Sequence, residues 1–258
     1  MGNQEVLYER DGTTALITIN RPEVRNSLNG AVFLQLNDIL DQVGKDEHVR
    51  ALIIAGVGNT FVSGADIHEL LGFDTTTGWS SSRFHQSVFN KLERVGKPSI
   101  AAVNGFALGG GLELALSCTF RVASVNAKLG FPELGLGIIP AFGGTQRLVR
   151  CVGQAKAAEM ILFHSIIDGE AAHRIGLVNH LVEPDQVLPK AREMSEALCA
   201  LSPLAVRLEL ELLLEAEKSG FNVGLALESA LGSVAVSSTE AKHLLERFLT
   251  KGRSTSRR

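Results

Sequence analysis

Cysteine is scarce: Cys118, Cys151 and Cys199 are the only three in 258 residues. They lie far apart, with no CxxC and no Cys/His pairing, so neither a disulfide framework nor a zinc site is indicated and a reducing, cytoplasmic compartment is expected. The histidines, at 48, 68, 85, 164, 173, 180 and 243, form no HExxH, and no GxSxG elbow occurs, which sets aside metallopeptidase and serine-hydrolase chemistry. GxxxxGK[ST] is absent, and Gly105-Phe106-Ala107-Leu108-Gly109 lacks the GxGxxG spacing, so nucleotide phosphoryl transfer and dinucleotide binding lose their main support. There is no excess of basic charge either. With 25 Lys+Arg against 28 Asp+Glu the formal charge is −3, and nucleic acid is not the expected partner. Met1–Glu5 has neither a basic start nor an apolar stretch, so no secretory signal is expected, and Val6 stands where a myristoylation site needs a hydroxyl residue. The longest apolar run, Ser99–Phe120, raises the membrane question; Asn104 and Gly109–Gly111 argue for buried strand, turn and helix instead, and no membrane association is expected.

What is present alternates between two periods. Val6–Glu9 and Ala15–Ile19 flank the turn dipeptide Asp11-Gly12 and predict a hairpin; Val32, Phe33, Leu36, Ile39, Leu40 and Val43 repeat with helical spacing; Val49–Ala55 is a β-branched run. A loop through Gly64 leads to a brief helix near Asp66–Leu71, and the polar segment Asp74–Ser82, with the only tryptophan, Trp79, reads as a mobile loop before a helix at Arg83–Arg94. The pattern then recurs, with strands at Ser99–Val103, Phe120–Ala123 and Lys128–Phe131 and helices from Gly110 and Gly144. Beyond Val178–Val182 the chain is helical and rich in Ala, Leu, Glu and Arg. The fold class is therefore α/β: a core of repeated strand-strand-helix turns over 1–195, then an all-helical segment over 196–258. Leu208, Leu212, Leu213, Leu227 and Leu231 give that segment more apolar surface than it needs for itself, which fits an oligomer interface as well as internal core.

Two isolated acids carry the chemistry. Glu113 is the only charge between Pro98 and Arg121, and Glu133 the only one between Lys128 and Arg147. An ionised carboxylate in apolar surroundings is costly, so each needs a compensating partner, a retained proton or a chemical role. Each alone also fits a helix N-terminal acid, Glu133 following Pro132. Two together suit acid-base work, because environments that separate carboxylate pKa values let one act as acid and the other as base. Gly109–Gly111 restarts the chain as a helix and leaves unpaired backbone N–H groups at its start, suited to an anion that forms during reaction. Asp66 also reads as a helix N-terminal acid, and His68 as a surface residue.

These residues resemble the crotonase, or enoyl-CoA hydratase/isomerase, superfamily over nearly the whole chain. The matching motifs, in order, are Asn20-Arg21-Pro22 with Asn26-Ser27-Leu28, Phe61–Ile67, Ala102–Gly105 through Gly109–Leu114, Phe131-Pro132-Glu133, and Gly143–Leu148. The resemblance implies a crotonase-like spiral of strand-strand-helix turns whose helical C-terminal segment builds homotrimers, usually paired into homohexamers. It also implies an acyl-CoA substrate, with coenzyme A part of that substrate and neither cofactor nor metal required. The thioester oxygen would sit in an oxyanion hole made by the backbone N–H groups of Ala65 and Gly110. Val24, Arg25 and Ala65, Asp66 and Ile67 would line the coenzyme A site, with Phe248 and Lys251 reaching a neighbouring subunit's ligand. Hydratases of the family carry both glutamates, Δ3-Δ2 isomerases generally only the second. The resemblance thus implies an enoyl-CoA hydratase of the fatty-acid β-oxidation type, with Glu113 activating water and Glu133 delivering a proton to C2.

The sequence departs from the family pattern at Thr119, commonly Asp, which predicts an altered structural contact. Ala141-Phe142 replaces a smaller pair beside the acyl pocket, and the C-terminal end lacks the usual basic finish. The rival readings are double-bond isomerisation, hydration of a branched or cyclic acyl-CoA, and an RNA-binding family member.

Overall fold

The computed structural model describes residues 4–216 and 218–255, with side chains as far as 250. In chain order the elements are β1 (Val6–Asp11), β2 (Thr14–Ile19), α1 (Gly30–Lys45), β3 (Ala51–Gly56), β4 (Thr60–Val62), α2 (Ile67–Leu70), α3 (Thr75–Glu93), β5 (Ser99–Val103), β6 (Phe106–Leu108), α4 (Gly110–Leu116), β7 (Phe120–Ser124), β8 (Lys128–Gly130), α5 (Gly144–Val152), α6 (Gln154–Leu162), β9 (Ile166–Asp168), α7 (Gly169–Arg174), β10 (His180–Val182), α8 (Val187–Cys199), α9 (Pro203–Ala216), α10 (Phe221–Ser237) and α11 (Thr239–Thr255).

The strands form two sheets, in the orders β1-β2-β3-β5-β7-β10 and β4-β6-β8-β9. Successive turns place one strand in each: β3, β5 and β7 pair in parallel in the first sheet, and β4, β6 and β8 pair in parallel in the second. Their short sequences explain the arrangement. Ala51–Ile54 is a continuous buried run with both faces covered, as parallel strands require. Leu52 and Ile54 enter the main core, while Ile53 enters a smaller one with Ile100, Val122, Val187 and Ala191 beneath α8. Helix α1 buries Val32, Phe33, Leu36, Leu40 and Val43, and Asn29 caps it by accepting from Val32 N–H.

One expectation is overturned. Residues 75–82 are helical, not a mobile loop: α3 begins at Thr75 behind a capping box in which the Asp74 carboxylate accepts from Thr77 N–H and the Thr77 hydroxyl accepts from Asp74 N–H. The Thr/Ser/Gly content of that stretch is poor for a helix, but the cap and the buried face formed by His85, Val88, Phe89 and Leu92 outweigh it.

By packing, the chain divides into two units, Met1–Leu198 and Cys199–Arg258. The second comprises α9, α10 and α11. No residue of α10 is buried, and Phe221, Val223, Leu225, Val234 and Val236 are exposed along it. Among the described residues no helix is long and apolar enough to cross a membrane.

Candidate active site

The parallel strands β4, β6 and β8 lie side by side and point the same way, so the segments leaving their C-terminal ends converge on one edge. Ala65 follows β4, Gly109–Glu113 follow β6 and Glu133 follows β8. Three turns of the coil thus all contribute to the site.

The first part is main chain. Ala65 bridges Leu28 in parallel, with Leu28 N–H donating to Gly64 O at 2.8 Å and Asp66 N–H to Leu28 O at 2.8 Å. That pattern leaves the N–H of Ala65 itself outside the ladder. Gly110 is the first residue of α4, where an N–H has no intrahelical acceptor. A Cβ added to Gly110 would stand 3.4 Å from Ala65 N, so the two donors are neighbours. The preceding Gly109 has φ +50°, and a Cβ on it would fall 2.6 Å from Glu133 Oε1; only glycine lets that carboxylate approach. Gly111 is held as tightly, since a Cβ there would meet Val62 O at 2.1 Å.

The two carboxylates are the second part. Glu113, in the first turn of α4, is 1% exposed, and its Oε1 accepts from Phe142 N–H at 2.8 Å and Gly144 N–H at 2.7 Å. Burial, helped by the Glu133 charge, raises its pKa to about 7 against those two hydrogen bonds and the Arg147 charge. Glu133 opens a short 3-10 turn, Glu133–Leu136, and is 9% exposed. Burial raises it to about 7 as well, and its Oε2 has no hydrogen-bond partner among the described residues. A buried oxygen left unpaired is costly. Two carboxyl groups poised near neutrality can each hold or release a proton at physiological pH.

Sequence reasoning missed the donors to Glu113. Phe142 and Gly144 lie far along the chain, and only the close approach at Gly144, where a Cβ would meet Glu113 Cγ at 2.7 Å, shows why glycine stands there. Arg147, which pairs with Glu93 at 3.1 Å and donates to Phe142 O at 3.2 Å, anchors this loop.

Val24 and Arg25 are exposed and lie beside the Ala65 segment, because Ser63 N–H donates to Arg25 O at 3.1 Å. Ile67 is exposed next to them. The Asp66 carboxylate is occupied otherwise: Oδ1 accepts from His68 N–H as the cap of α2, and Oδ2 pairs with Arg21 at 3.0 Å. Arg21 also donates to Ser27 O at 2.7 Å, so the pair braces the Leu28–Ala65 bridge from outside. Phe248 is exposed on α11, and the side chain of Lys251 lies outside the described residues. Thr119 makes a structural contact, accepting from Ser99 N–H at 3.1 Å.

Comparison with known proteins agrees with this geometry. The family model described as enoyl-CoA hydratase/isomerase matches residues 9–255. The short-chain-enoyl-CoA hydratase of Clostridium acetobutylicum is 40% identical over 95% of this chain and 95% of its own length. The crotonyl-CoA hydratase of Syntrophomonas wolfei is 38% identical over 97% of each chain. A crystal structure of enoyl-CoA hydratase from Bacillus anthracis superposes with a TM-score of 0.92 at 33% identity, over 96% of this chain and 97% of that one. With its parallel-strand coil, its paired lone glutamates and a match to the family over nearly all its length, the chain belongs to the enoyl-CoA hydratase/isomerase, or crotonase, family.

Proposed function

We propose that this protein is a hydro-lyase that adds water, syn, across the double bond of a 2-enoyl-CoA thioester to give the 3-hydroxyacyl-CoA. The observation that carries the reading is the pair Glu113 and Glu133, both buried and both raised to about 7, beside two unspent main-chain donors. The thioester oxygen takes hydrogen bonds from Ala65 N–H and Gly110 N–H, which stabilise the enolate charge as it develops. One water lies between the carboxylates. Glu113, held in place by Phe142 and Gly144, takes its proton as oxygen attacks C3, and Glu133 gives a proton to C2.

Val24, Arg25 and the backbone of Ala65–Ile67 line the coenzyme A end, with Phe248 and Lys251 contributing across a subunit boundary. Coenzyme A enters as part of the substrate, and no separate cofactor is needed. The exposed apolar residues of α10 support assembly of the helical segment into a trimer or hexamer. A cytoplasmic role in fatty-acid breakdown fits this chemistry. The test is loss of enoyl-thioester ultraviolet absorbance with crotonyl-CoA. Isomerisation of a 3-enoyl-CoA that survives Glu113→Gln, without hydration by the unaltered protein, would replace this reading by the isomerase one.

A further inference from the structure

Phe142 sits at the reaction centre and at the edge of an aromatic cluster. While its N–H holds Glu113, its ring lies against the oxyanion glycine: a Cβ added to Gly110 would be 3.1 Å from it. The loop cannot easily swing away. Gln86 donates to Ala141 O at 2.8 Å, and Arg147 donates to Phe142 O at 3.2 Å. Around the ring stand Phe33, His85 and Phe89, with centroids 5.4, 4.8 and 6.2 Å from it and planes nearly perpendicular to it. Phe33 and Phe89 are fully buried and His85 is 5% exposed.

His85 stacks on Phe33 at 3.7 Å, and it also lines a groove of about 480 Å³ whose other walls include Gly30, Leu34, Phe73, Ser81 and Phe84. The ring is therefore shared, with Phe142 on one side and the groove on another. Burial holds it neutral by lowering its pKa to about 4, so near neutral pH it acts as an uncharged aromatic plate.

We infer that the Phe142 and His85 rings form a partition that stops the acyl chain shortly beyond C3, restricting the enzyme to short enoyl thioesters, and that the groove behind them is the space a longer chain would have to enter. The inference rests on the hydratase reading above. Rings packed this closely cannot give way without opening voids elsewhere, so the wall is stiff. A stiff pocket discriminates by roughly 10- to 200-fold per methylene.

The test measures kcat/KM for crotonyl-, 2-hexenoyl-, 2-octenoyl- and 2-dodecenoyl-CoA with the full-length protein, Phe142→Ala, Phe142→Leu and His85→Ala. The unaltered protein should favour crotonyl-CoA over 2-octenoyl-CoA by at least about tenfold, and each variant should raise the octenoyl-to-crotonyl ratio by about tenfold or more. His85→Ala decides the matter if the Phe142 variants fail to fold, because its backbone holds no catalytic group. Equal use of crotonyl- and 2-octenoyl-CoA by the unaltered protein, or a ratio unmoved in every folded variant, overturns the partition and leaves the hydratase reading intact. No hydration of any thioester by the folded protein overturns both.

Discussion

Replacing Glu113 by Gln should make the protein more stable and much less active, with the stability gain appearing only as pH rises. Gln keeps an oxygen for the Phe142 and Gly144 N–H donors at 2.8 and 2.7 Å but cannot ionise. The folded protein holds the Glu113 proton with a pKa of about 7, against 4.5 for the free group. The native state thus binds the proton more tightly than the unfolded state. Stability is lost as pH climbs through that interval, and the loss is complete above it. A shift of this size corresponds to about 3 kcal/mol. In a unit of this length that is roughly 6–12 °C in Tm. Thermal unfolding of both proteins at about pH 5 and about pH 8 should therefore give similar Tm values at the first pH and a higher Tm for Glu113→Gln at the second. Hydration of crotonyl-CoA should fall by about 10²–10⁴ in the same variant. A variant less stable than its parent by the same amount at both pH values would show that Glu113 is a structural anchor, and its assignment to proton transfer would fail.

Glu133→Gln should also lower turnover by about 10²–10⁴, and the double variant should be scarcely worse than the poorer single one, because the two groups serve one water; multiplicative losses would refute that sharing. Gly109→Ala places a methyl 2.6 Å from Glu133 Oε1 at a backbone φ of +50°, so turnover should collapse, and near-normal kinetics would show that the carboxylate is not positioned there for chemistry. Gly110→Pro deletes one proposed donor and should cost about 10²–10³ in kcat once circular dichroism shows the variant folded; retained turnover would remove Gly110 from the oxyanion hole. Sedimentation at micromolar concentration should find trimers or hexamers, and monomer alone would contradict the role given to the helical segment.

Much of the site could be read from the chain because its signals are local. Glu113 and Glu133 stand out as single charges in long apolar stretches, and Gly109–Gly111 announces a place where backbone must come close. The hairpin and α1 follow from a turn dipeptide and a helical stripe. What escaped reading depends on distant pairing. The three-residue strands β4 and β6 have too few positions to show a period and become strands only through each other and β8. Helix α3 begins in residues that disfavour helix and is secured by the Asp74–Thr77 box and by packing against α1. The grip of Phe142 and Gly144 on Glu113 joins residues about thirty positions apart. Nor does anything near His85 in sequence announce that it stacks on Phe33.

The convergence of β4, β6 and β8 divides the proposed chemistry into parts of different permanence. The groups assigned to the thioester oxygen are main-chain N–H donors, fixed by the path of the chain at Ala65 and Gly110, and most side-chain replacements leave such donors in place. The groups assigned to proton transfer and acyl length are side chains at 113, 133, 142 and 85, each exchangeable on a different turn or loop. A protein built this way keeps its means of stabilising an enolate while its proton donors and pocket walls are changed one at a time. For redesign, the backbone around Ala65 and Gly110 is the part to leave alone, and the reaction performed on the enolate is the part open to choice.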